Sequence, residues 1–198
     1  MALERGFIPF IDTAYQGLGN GLDEDAYGMR MMAERLPEVI IASSCSKNFG
    51  LYRERTGSIT FIAETSEQAD IVVSQAMSTA RSIYSMPPAH GALLVSMVLG
   101  DPQLRSQWEA ELEEVRLRIK SMRNLLCDSL ENNAAGMDFS HIKRQNGMFS
   151  FLGITTPQLE RLRTEFGIYI VSSTRINLAG VNSNNIEYLT QCLLTVLE

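Results

Sequence analysis

Cysteine and histidine are scarce in this sequence, and their scarcity excludes two kinds of site. The 198 residues include three cysteines and two histidines. Cys45, Cys127 and Cys192 are an odd number at wide spacing, which argues against a disulfide framework and predicts a reducing, cytoplasmic location. His90 and His141 lie far from the cysteines and from each other along the chain, so the sequence offers no ligand set for zinc.

Long apolar runs and blocks of like charge are also missing. No apolar stretch approaches the roughly 18 residues that a membrane-spanning helix needs, and residues 1–10 lack the basic and apolar regions of a secretory signal. The net charge of −6 is spread along the chain, which argues against a nucleic-acid surface. Hydrophobic residues make up 45% of the chain, enough for the core of a globular protein of one or two domains.

The first hundred residues alternate between strand and helix patterns. Three short apolar runs predict buried strands, at residues 6–12, 38–46 and 57–64. Between the first two, Met29, Met32 and Leu36 recur at helical spacing, so the order strand, helix, strand predicts a parallel α/β unit. A further helix is predicted at residues 66–84, and the prolines that begin at Pro87 end it.

The longest predicted element is a helix at residues 101–132. Asp101 has the side chain of an N-cap, and Pro102 suits the first helical position. Apolar residues then recur every three or four positions, at Leu104, Trp108, Leu112, Val115, Ile119, Met122 and Leu126. Glu114 and Arg118 are left as an i,i+4 pair on the solvent side. Because about 30 helical residues span about 45 Å, we interpret the helix as a strut between two lobes, with an ordinary bundle helix as the alternative.

The remaining residues predict a smaller α+β lobe. Strand patterns occur at residues 147–154, 168–173 and 175–180. Helix patterns occur at residues 156–167 and 182–197, and the first of these is expected to begin with Thr156 as its cap and Pro157 at the first helical position.

One lysine stands among polar residues at the end of the second predicted strand. Lys47 lies where open α/β sheets bind their ligands, and a buried lysine that loses its proton can attack a carbonyl to form a Schiff base. The hydroxyls of Ser44 and Ser46 and the guanidinium of Arg55 can bind a phosphate. Asp12, at the end of the first strand, suits a protonated pyridine nitrogen, with a turn cap as the alternative. These residues predict a carbonyl cofactor with a phosphate group.

Five segments carry a resemblance to a known family. In chain order they are "DTAYQG", "SSCSKNFGLYRERTG", "YSMPPAHG", "GMFSF" and "SSTRINLAG". They closely resemble the class I pyridoxal-phosphate aminotransferases of fold type I, in the aspartate and aromatic amino acid branch. The resemblance implies an α/β fold with a parallel or mixed sheet. Residues 1–100 would be the C-terminal part of the large cofactor-binding domain, residues 101–131 a connecting helix and residues 132–198 the small domain.

The resemblance implies roles for the residues around the lysine. Lys47 would form the Schiff base with pyridoxal 5'-phosphate and then move the proton between substrate and cofactor. Asp12 would pair with the pyridine nitrogen, and Tyr15 would donate to the ring oxygen. The phosphate would be held by Ser44, Ser46 and Arg55.

The resemblance also implies a substrate site. Arg175 would bind the α-carboxylate, and Phe149 would line the pocket beside it. Arg81 matches the arginine that reaches across the dimer to the second carboxylate of aspartate or glutamate. Met86 replaces the polar residue expected nearby, and its flexible apolar side chain suits aromatic substrates as well. By residue type alone, Arg175 is also compatible with a surface arginine, Arg81 with a helix-end cation and Phe149 with a core residue.

Two hypotheses about function follow from the resemblance. In the first, the chain belongs to a homodimeric enzyme that transfers an amino group between aspartate, glutamate or an aromatic amino acid and a 2-oxo acid. Family members are roughly twice this length, however, so the resemblance covers only their C-terminal half. In the second hypothesis, the chain is therefore a truncated, catalytically incompetent fragment that binds no cofactor and persists by self-association.

Overall fold

A computed structural model describes residues 2–133 and 137–197. The chain forms two compact units, Met1–Leu112 and Glu113–Glu198, and the boundary falls inside the longest helix. The division into residues 1–100, 101–131 and 132–198 stays a prediction. Its third part includes residues 134–136, which lie outside the described residues.

The first unit is built on a mixed three-stranded sheet. Its strands are β1 (Phe10–Thr13), β2 (Val39–Ser44) and β3 (Gly57–Ile62), side by side in chain order. β1 is parallel to β2, as predicted, because a helix carries the chain back between them. β3 is antiparallel to β2, since only a short loop connects the two. The predicted α/β class with a mixed sheet is confirmed.

From residue 2 to the start of the longest helix, the structure describes four helices beside this sheet. They are α1 (Ala2–Arg5), α2 (Leu22–Arg35), α3 (Ser66–Tyr84) and α4 (His90–Gly100). α2 and α3 match the predicted helices. α4 was not predicted, because the sequence "HGALLVSMVLG" is apolar on nearly every side and so shows no helical period.

Helices α3 and α4 present apolar side chains to solvent on the first unit. α3 buries none of its residues, and α4 buries only Gly91. The exposed apolar residues of the two helices include Ile71, Val73, Met77, Ile83, Leu93 and Met97. Apolar exposure of this extent is typical of a surface that another polypeptide covers.

The turn after β1 is organised around one carboxylate. Asp25 Oδ2 accepts from the N–H groups of Gly17 and Gly19, both at 2.9 Å, and its Oδ1 accepts from the N–H of Asn20 at 2.8 Å. Gly17 has a φ of +90°, and a Cβ there would meet Leu112 Cδ2 at 2.5 Å. The turn therefore requires glycine at position 17 and an acceptor at position 25.

Asp25→Asn is expected to lower the free energy of unfolding by about 2 kcal/mol, because an amide nitrogen would face N–H groups where an oxygen now accepts. Urea denaturation would measure the loss. The matched control is Asp23→Asn, on the same helix, which removes only an exposed ion pair with Arg30 and should change stability by less than about 1 kcal/mol. Equal losses in the two variants would contradict this account of the turn.

The longest helix, α5, runs from Pro102 to Asn133. Its predicted cap is confirmed, because Asp101 Oδ1 accepts from the N–H groups of Gln103 and Leu104. Arg118, predicted on the solvent side, donates to the carbonyl oxygens of Ala179 and Val181 within the second unit. Within residues 2–133 and 137–197, every helix is too short or too polar to cross a membrane.

The described residues of the second unit form a two-stranded ribbon and, after α5, three helices. β4 (Phe149–Phe151) pairs antiparallel with β5 (Arg175–Asn177). The helices are α6 (Ser140–Arg144), α7 (Thr156–Phe166) and α8 (Ile186–Leu197), and a short 3₁₀ turn spans Leu178–Gly180. Fully buried side chains between these elements include Ile142, Leu162, Leu178 and Leu193.

Three local predictions in the second unit are wrong. Residues 168–173 form no strand, because Tyr169 and Val171 are exposed and this stretch pairs with no other described strand. The strand predicted to reach residue 180 ends at Asn177, where the 3₁₀ turn begins. The cap of α7 is Thr155 rather than Thr156, since Gln158 Oε1 accepts from both the N–H and the hydroxyl of Thr155.

Candidate active site

Lys47 lies in the loop that follows β2 and faces a tyrosine from the end of β1. Lys47 Nζ is 4.9 Å from the centroid of the Tyr15 ring. Because β1 and β2 are parallel neighbours, the residues that follow them meet at one edge of the sheet. An ammonium at this distance from an aromatic face gains a cation–π attraction, which orients the lysine.

Asp12 lies on the same face of the sheet as Ser44. Asp12 is paired with Ala42 in the parallel ladder, and Ala42 with Ile59 in the antiparallel one. Side chains two residues apart on a strand share a face, so Ser44 joins this row. Asp12 is exposed, and its carboxylate is therefore open to a ligand on that face.

Two hydroxyls lie side by side just before the lysine. Ser44 Oγ donates to Ser46 Oγ at 3.0 Å and accepts from the N–H of Ser46 at 3.2 Å. Ser46 is buried and Ser44 is half-buried. Arg55 lies on the far side of the same loop, exposed, with a φ of +53° and with Nη1 donating to the Tyr52 carbonyl at 2.9 Å.

The loop around Lys47 is tied together by its backbone. The N–H of Cys45 donates to the carbonyl of Thr56 at 3.0 Å, so the residue next to Arg55 pairs with the residue next to Ser44. Burial raises the pKa of the Cys45 thiol, which therefore stays protonated near neutral pH.

The residues that hold this loop in place were not predicted from the sequence. Trp108 Nε1 donates to the carbonyl of Asn48 at 2.8 Å, and the Trp108 ring stacks on Phe49 at 4.4 Å between centroids. Asn48 Nδ2 donates to the carbonyl of Gln16 at 3.3 Å, which links the loops after β1 and β2. Trp108 was predicted only as part of the apolar stripe of α5. Trp108 is the one tryptophan of the sequence, and this was the signal that could have singled it out.

The predicted carboxylate-binding residues lie in the second unit. The Arg175 guanidinium carbon is 4.5 Å from the centroid of the Phe149 ring, so the two predicted neighbours are brought together. They belong to adjacent strands, where Phe149 is paired with Asn177 and Phe151 with Arg175. Arg175 is exposed and lines a cleft of about 430 Å³ that also includes Tyr188.

Arg81 and Met86 lie at the end of α3 in the first unit. Arg81 is in the last turn of α3. The helix is followed by Ser85, whose φ is +65°, and then by Met86. Both side chains are exposed, Met86 to 76%.

Comparison with known proteins places the chain in a family. The family model for aminotransferase class I and II matches residues 1–193. An aspartate aminotransferase of Haemophilus influenzae is 51% identical over 197 residues, which are 100% of this chain and 50% of that protein. The chain spans about half the length of the relatives it matches.

Solved structures show the same fold. A psychrophilic aromatic amino acid aminotransferase from Psychrobacter sp. B6, cocrystallised with aspartic acid, matches with a TM-score of 0.96 at 44% identity, over 100% of this chain and 50% of that one. An aromatic-amino-acid aminotransferase from Burkholderia pseudomallei, covalently bound to pyridoxal phosphate, matches with a TM-score of 0.96 at 42% identity, over 100% and 49%. The fold is thus that of the fold type I pyridoxal-phosphate enzymes, as predicted. The chain belongs to the class I and II aminotransferases.

Proposed function

We propose that this chain carries the lysine and the carboxylate-binding arginine of a pyridoxal-phosphate-dependent aminotransferase. The observation that carries the proposal is the approach of Lys47 to Tyr15 at the carboxyl edge of β1 and β2, in a chain of the aminotransferase family. An amine and a phenol at this edge are the groups that a pyridine aldehyde with a ring hydroxyl requires.

The donor set on the first unit fits pyridoxal phosphate. The adjacent hydroxyls of Ser44 and Ser46 can turn to donate to a phosphate, and Arg55 lies on the same loop. The exposed carboxylate of Asp12 suits a protonated pyridine nitrogen on the face it shares with Ser44. When bound, the cofactor supplies an electron sink for the bond broken at the substrate Cα.

The chain's own residues would then bind, orient and move protons. Lys47 Nζ would bind the aldehyde carbon of the cofactor. As a free amine, the same nitrogen would take the proton from the substrate Cα. The Tyr15 hydroxyl would orient the ring oxygen. Arg175 would receive the α-carboxylate in a bidentate hydrogen bond, with its guanidinium held over Phe149.

Substrate choice and assembly are part of the same proposal. Aspartate, glutamate and aromatic amino acids are the proposed donors, with a 2-oxo acid as acceptor. Arg81, exposed at the end of α3, would meet a second carboxylate across a homodimer, and Met86 beside it would tolerate an aromatic ring. The free thiols of Cys45, Cys127 and Cys192 support a cytoplasmic location.

Labelling with the cofactor tests the proposal directly. The chain has three lysines, Lys47, Lys120 and Lys143. After incubation with pyridoxal phosphate and reduction with borohydride, peptide mass spectrometry should find the pyridoxyl group on Lys47. A label spread over Lys120, Lys143 and the terminal amine would overturn the assignment. Formation of a 2-oxo acid from aspartate or phenylalanine then measures transamination and donor preference.

The fragment hypothesis remains the second candidate, and two observations favour it. The chain spans half the length of its relatives, and α3 and α4 expose the apolar surface described above. A chain of this kind would show no visible absorption band with pyridoxal phosphate and would self-associate with rising concentration in analytical ultracentrifugation. A band together with a labelled Lys47 excludes it.

A further inference from the structure

The middle of α5 contains an arginine whose side chain lies inside the second unit. Arg123 is only 3% exposed. Its Nη1 donates to Ser150 Oγ at 2.9 Å and to the Ile142 carbonyl at 3.5 Å. Its Nη2 donates to the carbonyls of Phe149, at 3.2 Å, and Gly147. One guanidinium therefore serves four acceptors on the segment that leads into and forms β4.

These four acceptors are all neutral. Burial of a guanidinium against neutral groups is costly, and burial lowers the pKa of Arg123. A methionine of similar length would fill the same space without a charge to bury. The geometric advantage of arginine is its rigid fork, whose donors can reach several carbonyls at once.

Gln145 makes further hydrogen bonds to residues of β4. Ser150 Oγ, which accepts from Arg123, donates to Gln145 Oε1 at 2.9 Å. Gln145 Oε1 also accepts from the N–H of Phe151 at 2.7 Å, and Gln145 Nε2 donates to the Phe151 carbonyl at 3.2 Å. Each of the three residues of β4 is thus held by Arg123, by Gln145 or by both.

β4 also contains the aromatic residue that contacts Arg175. Phe149 is the first residue of β4, and its ring lies 4.5 Å from the Arg175 guanidinium carbon. Arg118, also on α5, donates to the carbonyls of Ala179 and Val181, which lie just after β5. α5 thus contacts β4 and the segment that follows β5.

We propose that Arg123 is a positioning residue for Arg175. By fixing β4, it keeps the Phe149 ring in place, and the ring holds the exposed, otherwise flexible Arg175 side chain in one orientation toward a carboxylate ligand. This inference rests on the proposed function, in which Arg175 binds the substrate α-carboxylate.

Arg123→Lys and Arg123→Met test the proposal in the full chain. The first readout is the affinity for succinate, measured by isothermal titration, which should fall about tenfold in both variants because a disordered guanidinium loses its bidentate geometry. The second is the NMR signal of the Arg175 Nε–H, assigned with Arg175→Lys, which should lose the upfield shift that an aromatic face induces. Arg163→Lys, an exposed ion-pair residue of α7, is the matched control and should change neither.

The outcomes separate this inference from the function it rests on. If Arg175→Lys weakens succinate binding while both Arg123 variants keep the wild-type affinity and the Arg175 signal, the positioning role is overturned and the proposed function stands. If Arg175→Lys leaves succinate binding unchanged, both are overturned. Should the Arg123 variants fail to fold by circular dichroism, Ser150→Ala decides on the same two readouts, since it removes the hydroxyl that joins Arg123 to Gln145.

Discussion

Replacement of Lys47 by alanine is expected to abolish covalent binding of pyridoxal phosphate to this chain. The visible absorption band of the lysine-bound cofactor should fall to the level of free cofactor, because a side chain without an amine cannot bond to the aldehyde carbon. Lys47→Arg should lose the band equally. An arginine keeps a positive charge near the Tyr15 ring, but a guanidinium does not lose its proton and so cannot attack.

The control for this experiment lies on α5. Lys120 is an exposed lysine of that helix, and Lys120→Ala should keep the full band. Both Lys47 variants should unfold within about 1 kcal/mol of the wild-type chain, because Lys47 is half-buried and contributes little to the core. An undiminished band in Lys47→Ala would reject Lys47 as the cofactor-binding lysine.

Trp108→Ala is expected to lower the free energy of unfolding of the first unit by about 3 kcal/mol. The substitution removes the stacking on Phe49 and the hydrogen bond to the Asn48 carbonyl, and the half-buried ring places the loss at the lower end of the range for tryptophan. The loop that carries Lys47 loses its support at the same time. We therefore expect less lysine-bound cofactor at a given pyridoxal phosphate concentration, measured by visible absorbance.

Two variants on the same helix sharpen this test. Trp108→Phe retains an aromatic ring but no N–H, and should cost about 1 kcal/mol for the lost hydrogen bond. Leu104→Ala, one turn earlier on α5 and exposed, should change stability by less than about 0.5 kcal/mol. A Trp108→Ala chain with the wild-type urea midpoint and wild-type cofactor binding would show that Trp108 does not support the loop.

Much of the fold could be predicted from the sequence because it depends on residues close together in the chain. β1, α2 and β2 follow from apolar runs and helical spacing, and Asp101 and Pro102 announce the start of α5 because capping is a matter of adjacent residues. α4 was missed because a helix that is apolar all round has no period. The strand predicted at residues 168–173 failed because a strand requires a partner, which no residue pattern within the segment supplies.

The candidate site, too, was predicted in part from the sequence, and the rest depended on the tertiary structure. Lys47, Ser44, Ser46 and Arg55 stand within one short segment, so the sequence alone revealed their grouping, and Asp12 and Tyr15 joined them once two parallel strands were inferred. The roles of these residues remain proposals. Their placement at one sheet edge rests on the observed register of β1 and β2.

By itself, the sequence determined the α/β alternation of β1, α2 and β2, the start of α5, the grouping of polar residues around Lys47 and the family. Only the tertiary structure decided that Trp108 supports the Lys47 loop from 60 residues away and that Arg123 is buried against β4. The physical reason is that a hydrogen bond or a ring stack depends on distances in space. A tryptophan or an arginine on a helix looks the same in sequence whether its side chain meets solvent or a carbonyl of a distant loop.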